Sequence, residues 1–120
     1  MFGSYAIGAR DPESGEIVDV GDIAGVDQVR DADIQAMIMR GGLLTGRRIE
    51  RQSSKGSVSG VELRPEIVVS VRFEGITRDA AGGKLRLRSP TLAYIRADKS
   101  ASDIDSKKTL EKFYLRQQMG

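Results

Sequence analysis

The chain has 120 residues, of which 19 are lysine or arginine and 17 are aspartate or glutamate, and it contains neither cysteine nor histidine. This length predicts one domain that buries about two thirds of its unfolded surface. The composition excludes disulfide frameworks, zinc ribbons, cysteine nucleophiles and Ser-His-Asp triads, so any metal would need oxygen ligands. Because no apolar run approaches the roughly 18 residues that span a bilayer, and no signal pattern opens the chain, we expect a soluble cytoplasmic protein.

Charge is distributed unevenly along the sequence, although the net charge is only +2. Residues 1–35 contain two arginines and eight acidic residues, whereas residues 36–55 and residues 64–99 each carry a net charge of +4. This asymmetry favours a protein with one face turned toward a polyanion, and it is also compatible with ordinary solvated surface.

The first third of the sequence predicts a β-hairpin followed by a helix. Residues 4–10 and 16–20 are predicted as strands, joined by a turn that contains Pro and Gly. After a loop over residues 21–29, a helix is predicted over residues 31–40, with Asp31 as its N-cap and glycines at its end. Its apolar residues, which we expect to face the core, are Ile34, Met37 and Ile38.

The middle of the sequence contains a basic segment and the clearest strand pattern. Residues 47–51 predict a strand, followed by a mobile connection rich in Ser and Gly over residues 52–60. The arginines of this strand, candidate ligands for DNA phosphates, are Arg47, Arg48 and Arg51. A charged, solvated edge strand is an equally good interpretation. Residues 67–74 alternate, which predicts a buried face of Ile67, Val69, Val71 and Phe73 and a wet face of Val68, Ser70, Arg72 and Glu74.

A second alternating strand and a final helix follow a predicted turn over residues 77–83. In residues 84–88 we expect the leucines to point inward and the cations outward. These cations form a candidate row for tracking a nucleic-acid backbone, and they are Lys84, Arg86 and Arg88. Pro90 should interrupt the ladder at an edge or a bulge. The closing helix is predicted over residues 103–118, with an apolar face of Ile104, Leu110, Phe113 and Tyr114.

The tetrad Arg96-Ala97-Asp98-Lys99 lies between the extended run that ends at Ile95 and the start of the closing helix. The guanidinium of Arg96 is a planar fork of donors and the ammonium of Lys99 is a compact charge, a combination that suits a polyphosphate. Alternatively, Arg96 and Asp98, which lie one strand period apart, form a surface ion pair that contributes under about 1 kcal/mol. On these four residues alone, the ion pair is the simpler interpretation.

The order of these elements predicts the fold. Strand, strand, helix, about three strands and a last helix indicate a mostly β protein, specifically a five-stranded OB-fold barrel with one inserted helix and a C-terminal helix. We expect residues 1–120 to form a single domain of this kind. The first helix comes earlier than in the common OB order, and fold alone does not determine function.

Four stretches of the chain carry a resemblance to a known family. They are residues 3–16, 64–76, 85–90 and 95–100. Together they resemble the C-terminal OB domain of ATP-dependent DNA ligases, most closely the archaeal type, over nearly the whole chain. The Arg-x-Asp-Lys tetrad alone is a weak motif. Here it follows an Arg-x-Pro step and precedes a helix that starts with an acid and contains Phe113-Tyr114, and that combination is specific.

The resemblance implies a role for each residue of the tetrad. Arg96, Asp98 and Lys99 correspond to the family's last nucleotidyltransferase motif, which closes over the nucleotide and helps to neutralise the departing pyrophosphate. Arg96 would bind phosphate through its fork, Lys99 would add a second charge, and Asp98 would be an orienting partner. Arg88 corresponds to the family's arginine two residues before the proline.

The resemblance also implies cofactors and partners. The parent ligase would use ATP and Mg²⁺ for nick sealing, and this domain alone would bind neither tightly. The partners of the domain would be nicked double-stranded DNA and the adenylation domain of the same ligase, and we expect it to be a monomer. A hinge at residues 1–4 would let the domain alternate between adenylation and DNA binding.

The sequence departs from the family pattern in two places. Ser89 and Thr91 stand where the family usually has an aromatic residue and an arginine, which puts any contact made by that arginine in question. The nucleophile motif Lys-x-Asp-Gly is absent from the sequence. We therefore expect that the chain cannot form its own enzyme adenylate, because it lacks the catalytic adenylation domain.

Two other functions remain open at this point. A stand-alone OB module would only bind nucleic acid, but single-strand binding usually relies on exposed aromatics, and we expect Phe73, Phe113 and Tyr114 to lie in the core. The lid of an RNA ligase or a capping enzyme would share the tetrad but fits the flanking strands less well.

Overall fold

The computed structural model describes residues 4–53, 56–78 and 83–119, and residues 1–3 of the predicted hinge lie outside these ranges. Within them, the strands form four antiparallel pairs, β1–β2, β3–β4, β5–β8 and β6–β7, and these pairs do not link into one closed five-stranded barrel. The prediction of a mostly β protein with an inserted helix and a C-terminal helix is confirmed. The elements are β1 Ser4–Arg10, β2 Ile17–Ala24, α1 Gln28–Gly41, β3 Leu44–Ser53, β4 Gly56–Leu63, β5 Val69–Arg72, β6 Gly75–Arg78, β7 Leu85–Arg88, β8 Thr91–Ile95, a 3₁₀ turn Ala101–Asp103 and α2 Lys107–Met119.

Four of the described strands belong to one bent hairpin. The register of β5–β8 continues unchanged into β6–β7 across an interruption of two residues on each side. On one side these are Ser89, which has a left-handed φ of +52°, and Pro90, which has no N–H to donate. On the other side they are Phe73 and Glu74. The interruption predicted at Pro90 is therefore confirmed. The strand predicted over residues 67–74 is confirmed for Val69–Arg72 only, because the chain bends at Phe73 and Glu74.

Two apolar clusters form the core of the described residues. The cluster to which α2 contributes contains Ala9, Val20, Ile76, Leu85 and Leu110. The cluster to which α1 contributes contains Ile23, Ile34, Ile38, Leu43 and Leu92. Ile7 of β1 packs against both clusters. Because β2 also contacts β7 and β8, the β1–β2 hairpin and the bent hairpin form one body.

The β3–β4 hairpin is more exposed than this body. The two strands pair with each other, and their described side chains over residues 44–61 are all exposed. At the base of the hairpin, Nη2 of Arg64 donates to the carbonyl oxygens of Gly41 and Gly42 at 3.0 and 3.2 Å. The connection predicted over residues 52–60 is wrong, because β4 occupies much of that range, while residues 54 and 55 lie outside the described part of the chain.

The first helix starts earlier than the sequence pattern predicts. β2 continues to Ala24, so the predicted loop is short, and α1 begins at Gln28. The carboxylate of Asp27 accepts a hydrogen bond from the Arg30 amide at 2.9 Å, which makes Asp27 the N-cap. The prediction of Asp31 as the cap is therefore wrong.

Neither described helix is long and apolar enough to cross a membrane.

The second helix packs along the free edge of β6. The Gln117 side-chain amide donates to the Ile76 carbonyl and accepts from the Ile76 amide, both at 2.8 Å. The Arg78 guanidinium lies 4.9 Å from the centre of the Tyr114 ring, and Tyr114 packs against the core as predicted. The helix begins at Lys107 and not at residue 103, because a separate 3₁₀ turn precedes it.

Two phenylalanines predicted in the core lie at the surface. Phe73 is 37% exposed and Phe113 is 43% exposed. Their rings contact each other edge to face, with centroids 6.1 Å apart. Phe73 lies at the bend of the hairpin, and Leu110 and Tyr114, one turn of α2 apart, supply the inward face of that helix. The prediction that Phe73 and Phe113 are core residues is therefore wrong.

A β-bulge in β8 determines which way the end of that strand faces. The register shifts so that Ala93 is an extra residue with no partner of its own on β5. Side chains alternate along a strand, so the extra residue reverses the facing of everything beyond it. Leu92 is buried in the core, whereas Tyr94, which pairs with Ser70, is 63% exposed on the outer face.

Arg30 of α1 holds this bulge in place. Its Nη1 donates to the carbonyl oxygens of Leu92 and Ala93, both at 2.9 Å, and its Nε donates to Asp27 Oδ2 at 2.7 Å. Hydrogen bonds from the Arg30 amide, and then from its guanidinium, hold the pKa of Asp27 below its usual range. One arginine therefore ties the start of α1 to the bulge in β8.

A buried carboxylate joins α1 to β1. Asp31 is only 1% exposed, and it accepts hydrogen bonds from the Tyr5 hydroxyl and from Gln35 Nε2, the latter at 3.0 Å. Burial and the neighbouring carboxylate raise the pKa of Tyr5 above its ordinary value. The pair is stable because the buried carboxylate keeps its hydrogen bonds.

Tyr5→Phe should lower the free energy of unfolding by about 1–3 kcal/mol, because the buried Asp31 loses a donor. Urea denaturation measures this change. The matched control is Tyr94→Phe, at an exposed position, which should change the free energy by less than about 0.5 kcal/mol. Equal effects of the two substitutions would show that the buried pair contributes nothing specific.

Arg30→Lys should loosen the bulge, because an ammonium cannot reproduce the hydrogen bonds of the guanidinium to two carbonyls and to Asp27. We expect faster hydrogen exchange at the amides of β8 and a loss of about 1–2 kcal/mol in the free energy of unfolding. Arg40→Lys, at an exposed position of the same helix, is the control. An exchange profile in β8 that matches the Arg40→Lys profile would contradict the role of Arg30.

Candidate phosphate-binding site

The side chain of Arg96 lies on the outer face of the β5–β8 pair. Its amide donates to the Val68 carbonyl at 2.8 Å, which continues the ladder one step beyond β8. Arg96 lies two positions after Tyr94 in the sequence, so both side chains share the outer face. Nη1 of Arg96 also donates to Ser70 Oγ at 3.3 Å. Val68 was predicted on the wet face. It lies opposite Arg96, and its side chain is buried.

Asp98 occupies one edge of the Arg96 fork. Nε and Nη2 of Arg96 donate to the two carboxylate oxygens at 3.0 and 2.9 Å. Mainly through these hydrogen bonds, the guanidinium lowers the pKa of Asp98 to about 2, and the carboxylate raises the pKa of Arg96. The surface ion pair is therefore present. Because it is solvated it contributes little to stability, but it fixes the plane of the guanidinium.

The fork keeps donors for a ligand. A guanidinium has five N–H groups, and three of those of Arg96 are engaged by Asp98 and Ser70. Within the described ranges, one N–H on Nη1 and one on Nη2 meet no acceptor. An anionic oxygen can therefore bind Arg96 while Asp98 stays in place.

Lys99 lies one tight turn further along the chain. Its amide donates to the Arg96 carbonyl at 3.2 Å, and its side chain is exposed. Hydrogen bonds from Ser100 lower the pKa of Asp103, and the positive charge of Lys99 lowers the pKa values of Asp103 and Asp98 further. The turn thus brings Arg96, Asp98 and Lys99 together, and their functional roles stay predictions.

The segment after Lys99 is anchored on both sides. The amide and the hydroxyl of Ser100 donate to Asp103 Oδ2 at 2.9 and 3.2 Å. Nη2 of Arg10, at the end of β1, donates to the Ala101 carbonyl at 2.6 Å. The tetrad is therefore presented by a turn that is fixed to the body of the fold.

The predicted basic row of β7 is exposed but partly engaged. Lys84 precedes the strand, while Arg86 and Arg88 share its outer face, with the intervening leucines packed in the core. Arg86 Nη1 lies 3.8 Å from Asp19 Oδ1, and Arg88 Nη2 donates to the Glu74 carbonyl at 3.4 Å. A phosphate would have to compete with these partners.

The other predicted basic set lies on the β3–β4 hairpin. Arg47 and Arg48 are exposed, and no carboxylate in the described part of the chain pairs with either. Arg51 belongs to β3, and its side chain lies outside the described residues. Because β3 and β7 belong to different strand pairs, the structure does not bring the two basic sets into one row.

Three residues around the tetrad were not identified as site residues from the sequence. They are Arg30, Ser70 and Tyr94. The two-residue spacing between Tyr94 and Arg96 is a usable signal, because residues so spaced share a face of a strand. Ser70 and Arg30 have no such signal, since their contacts depend on strand pairing and on the position of the bulge.

Comparison with known proteins finds similarity to archaeal DNA ligases. The chain is 29% identical over 119 residues to a DNA ligase of Methanococcoides burtonii, a match that covers 98% of this chain and 19% of that protein. It is 31% identical over 108 residues and over 116 residues to two DNA ligase sequences of Methanothermobacter thermautotrophicus, covering 88% and 95% of this chain and 17% and 19% of those proteins. No protein-family model matches the chain.

The chain spans at most 19% of the length of these relatives, although the matches cover nearly all of the chain itself. The resemblance seen in the sequence motifs is confirmed by these matches. The chain is therefore similar to one segment of larger archaeal DNA ligases.

Proposed function

We propose that this chain is the C-terminal OB lid domain of an ATP-dependent DNA ligase, and that Arg96 and Lys99 bind phosphate groups of ATP during adenylation of the enzyme. The observation that carries this proposal is the Arg96 guanidinium, which Asp98 and Ser70 hold on the outer face with two N–H groups left for a ligand. Lys99 adds a second cation on the same turn.

The fold supports an OB-type architecture. The unchanged register through the bent hairpin reduces four described strands to two long, bent ones. Strands that bend sharply through bulges and breaks are typical of small curled β barrels. A helix from each end of the chain contributes to its own part of the core.

The chemistry of adenylation fits these side chains. Negative charge increases on the phosphate oxygens of the leaving pyrophosphate, and cations already in position stabilise that charge. Arg96 is oriented before any ligand binds, because Asp98 fixes its plane and Ser70 its outer end. The attacking lysine would come from the adenylation domain. Mg²⁺ would be used by the parent enzyme, and within the described ranges no cluster of three acidic side chains could hold a metal ion.

Supplying the isolated chain in trans to a related archaeal ligase that lacks its own lid should restore adenylation with ATP. Arg96→Ala/Lys99→Ala should reduce the rescued rate by at least about 100-fold, since preplaced charge stabilisation is lost. Formation of the labelled enzyme adenylate measures the rate. Arg40→Ala/Lys108→Ala removes the same charge elsewhere and should rescue like the unchanged chain. Full rescue by the Arg96/Lys99 variant would refute the phosphate role.

We further propose that the same domain grips nicked duplex DNA through its basic residues. Contacts to phosphates dominate such binding and make it weak and steeply dependent on salt. The arginines of the β3–β4 hairpin are better candidates than the β7 row, because Arg86 and Arg88 already have partners within the protein.

Arg47→Ala/Arg48→Ala should therefore weaken binding to a nicked duplex more than Lys84→Ala/Arg86→Ala does. Each lost phosphate contact should also reduce the slope of log K against log salt by about 1. Fluorescence anisotropy at several salt concentrations measures both quantities. If Lys84→Ala/Arg86→Ala weakens duplex binding more than Arg47→Ala/Arg48→Ala does, the duplex binds at the β7 row instead.

A stand-alone module that only binds nucleic acid is the second candidate function. It is favoured by the exposure of Phe73, Phe113 and Tyr94, which supplies the aromatic surface that such modules use. The trans experiment separates the two functions, because a simple binding module would not restore adenylation.

A further inference from the structure

The outer face of the β5–β8 pair presents an aromatic residue between two cations. Arg96 lies just beyond the end of β8, followed by Tyr94 opposite Ser70 and then by Arg72 opposite Thr91. Arg72 and Tyr94 are exposed, and the lid function proposed above uses only Arg96 from this row.

We propose that this face binds a single nucleic-acid strand, with one base stacked on Tyr94 and the two phosphates that flank it bound by Arg96 and Arg72. The choice of a nucleic acid as the ligand rests on the proposed ligase function. Of the residues in this site, only Arg96 also takes part in the proposed adenylation role. Stacking on an aromatic ring accepts every base, so the expected binding has little sequence preference.

The spacing of the row favours a strand over a free nucleotide. Each step along the row is two strand residues, which is about 7 Å. The ring of Tyr94 therefore has a cation on either side along the strand direction. A free nucleotide carries phosphates on one side of its sugar only, whereas a nucleotide within a strand has a phosphate on both sides. The row matches the second pattern.

The structure keeps Tyr94 available for such a contact. The bulge at Ala93 directs it outward, and Arg30 holds the bulge. The other two tyrosines of the chain are engaged, since the hydroxyl of Tyr5 bonds to Asp31 and the ring of Tyr114 lies under a guanidinium.

Two carboxylates lie close to the row and do not block it. Asp98 pairs with one edge of the Arg96 fork and leaves two N–H groups for phosphate. Glu74 follows Arg72 by two residues and lies in the interruption between β5 and β6, beyond the paired part of β5. The paired outer face itself, formed by Ser70, Arg72, Thr91 and Tyr94, contains no acid.

Intrinsic tyrosine fluorescence reports directly on this site, because the chain has three tyrosines and no tryptophan. Titration with a short single-stranded oligothymidylate should quench the emission of the unchanged chain. Tyr94→Phe should remove that quenching but keep the affinity measured by anisotropy of a labelled oligonucleotide. Tyr94→Ala should weaken the affinity roughly 5- to 100-fold, the range expected for one stacked base.

Two further variants locate the strand. Arg72→Ala should lower the salt slope of oligonucleotide binding by roughly 0.7, as expected for one phosphate contact on a single strand. Phe113→Ala, which removes an exposed aromatic outside the row, should leave the affinity unchanged. An affinity that is insensitive to Tyr94→Ala but falls with Phe113→Ala would overturn the proposal, as would quenching that persists in Tyr94→Phe.

The failure of this inference and the failure of the lid function are distinguishable. Tyr94→Ala and Arg72→Ala should both restore adenylation in trans like the unchanged chain, because neither contacts the tetrad's free N–H groups. If the Arg96/Lys99 variant still rescues adenylation while Tyr94→Ala loses the oligonucleotide, the lid role fails and the strand site stands. If Tyr94→Ala binds the oligonucleotide normally, the proposal of a strand-binding site fails and the proposed lid function is unaffected.

Discussion

The hydrogen bonds from Arg30 to the bulge in β8 are the constraint on which the exposed face depends. A strand without the extra residue would turn Tyr94 into the core and present other side chains to solvent. A bulge disrupts the ladder locally, and a buried carbonyl that is left unpaired is costly. One guanidinium satisfies two of them at 2.9 Å and is itself held by the N-cap of α1. An arginine of α1 therefore supports the bulge that sets which face of the pair Tyr94 and Arg96 occupy.

The electrostatics of the tetrad follow from short-range pairing. Arg96 and Lys99 are accompanied by Asp98 and Asp103, so the turn carries two charges of each sign within a few residues. Such a site does not hold an anion by net charge in the way that a cluster of cations does. It offers instead two directed N–H groups on a guanidinium whose plane is already set. Because the guanidinium is already oriented, the entropic cost of binding a phosphate is lower. This arrangement suits the phosphate binding that we propose for Arg96 and Lys99.

The exposed aromatic side chains form two different kinds of surface. Phe73, Phe113 and Tyr94 lie on the described surface, in two places that differ in surroundings. The two phenylalanines contact each other at the hairpin bend, with Arg116 5.9 Å from the Phe113 ring. Tyr94 instead lies between two cations on the outer face of the β5–β8 pair. Rings packed on each other already have part of their surface covered, whereas Tyr94 has an open face for a ligand.

The sequence by itself determined the local features of this protein. It predicted the mostly β composition, the two helices, the break at Pro90, the outward cations of residues 84–88 and the similarity to DNA ligases, because each depends on residues close together in the chain. The tertiary structure decided the rest. A bend at residues 73–74 ended the predicted strand at Arg72, and helix packing left Phe73 and Phe113 exposed. Above all, one extra residue at Ala93 and an arginine more than sixty positions away determined the facing of Tyr94 and Arg96. Strand register and long-range hydrogen bonds depend on partners that no local pattern contains.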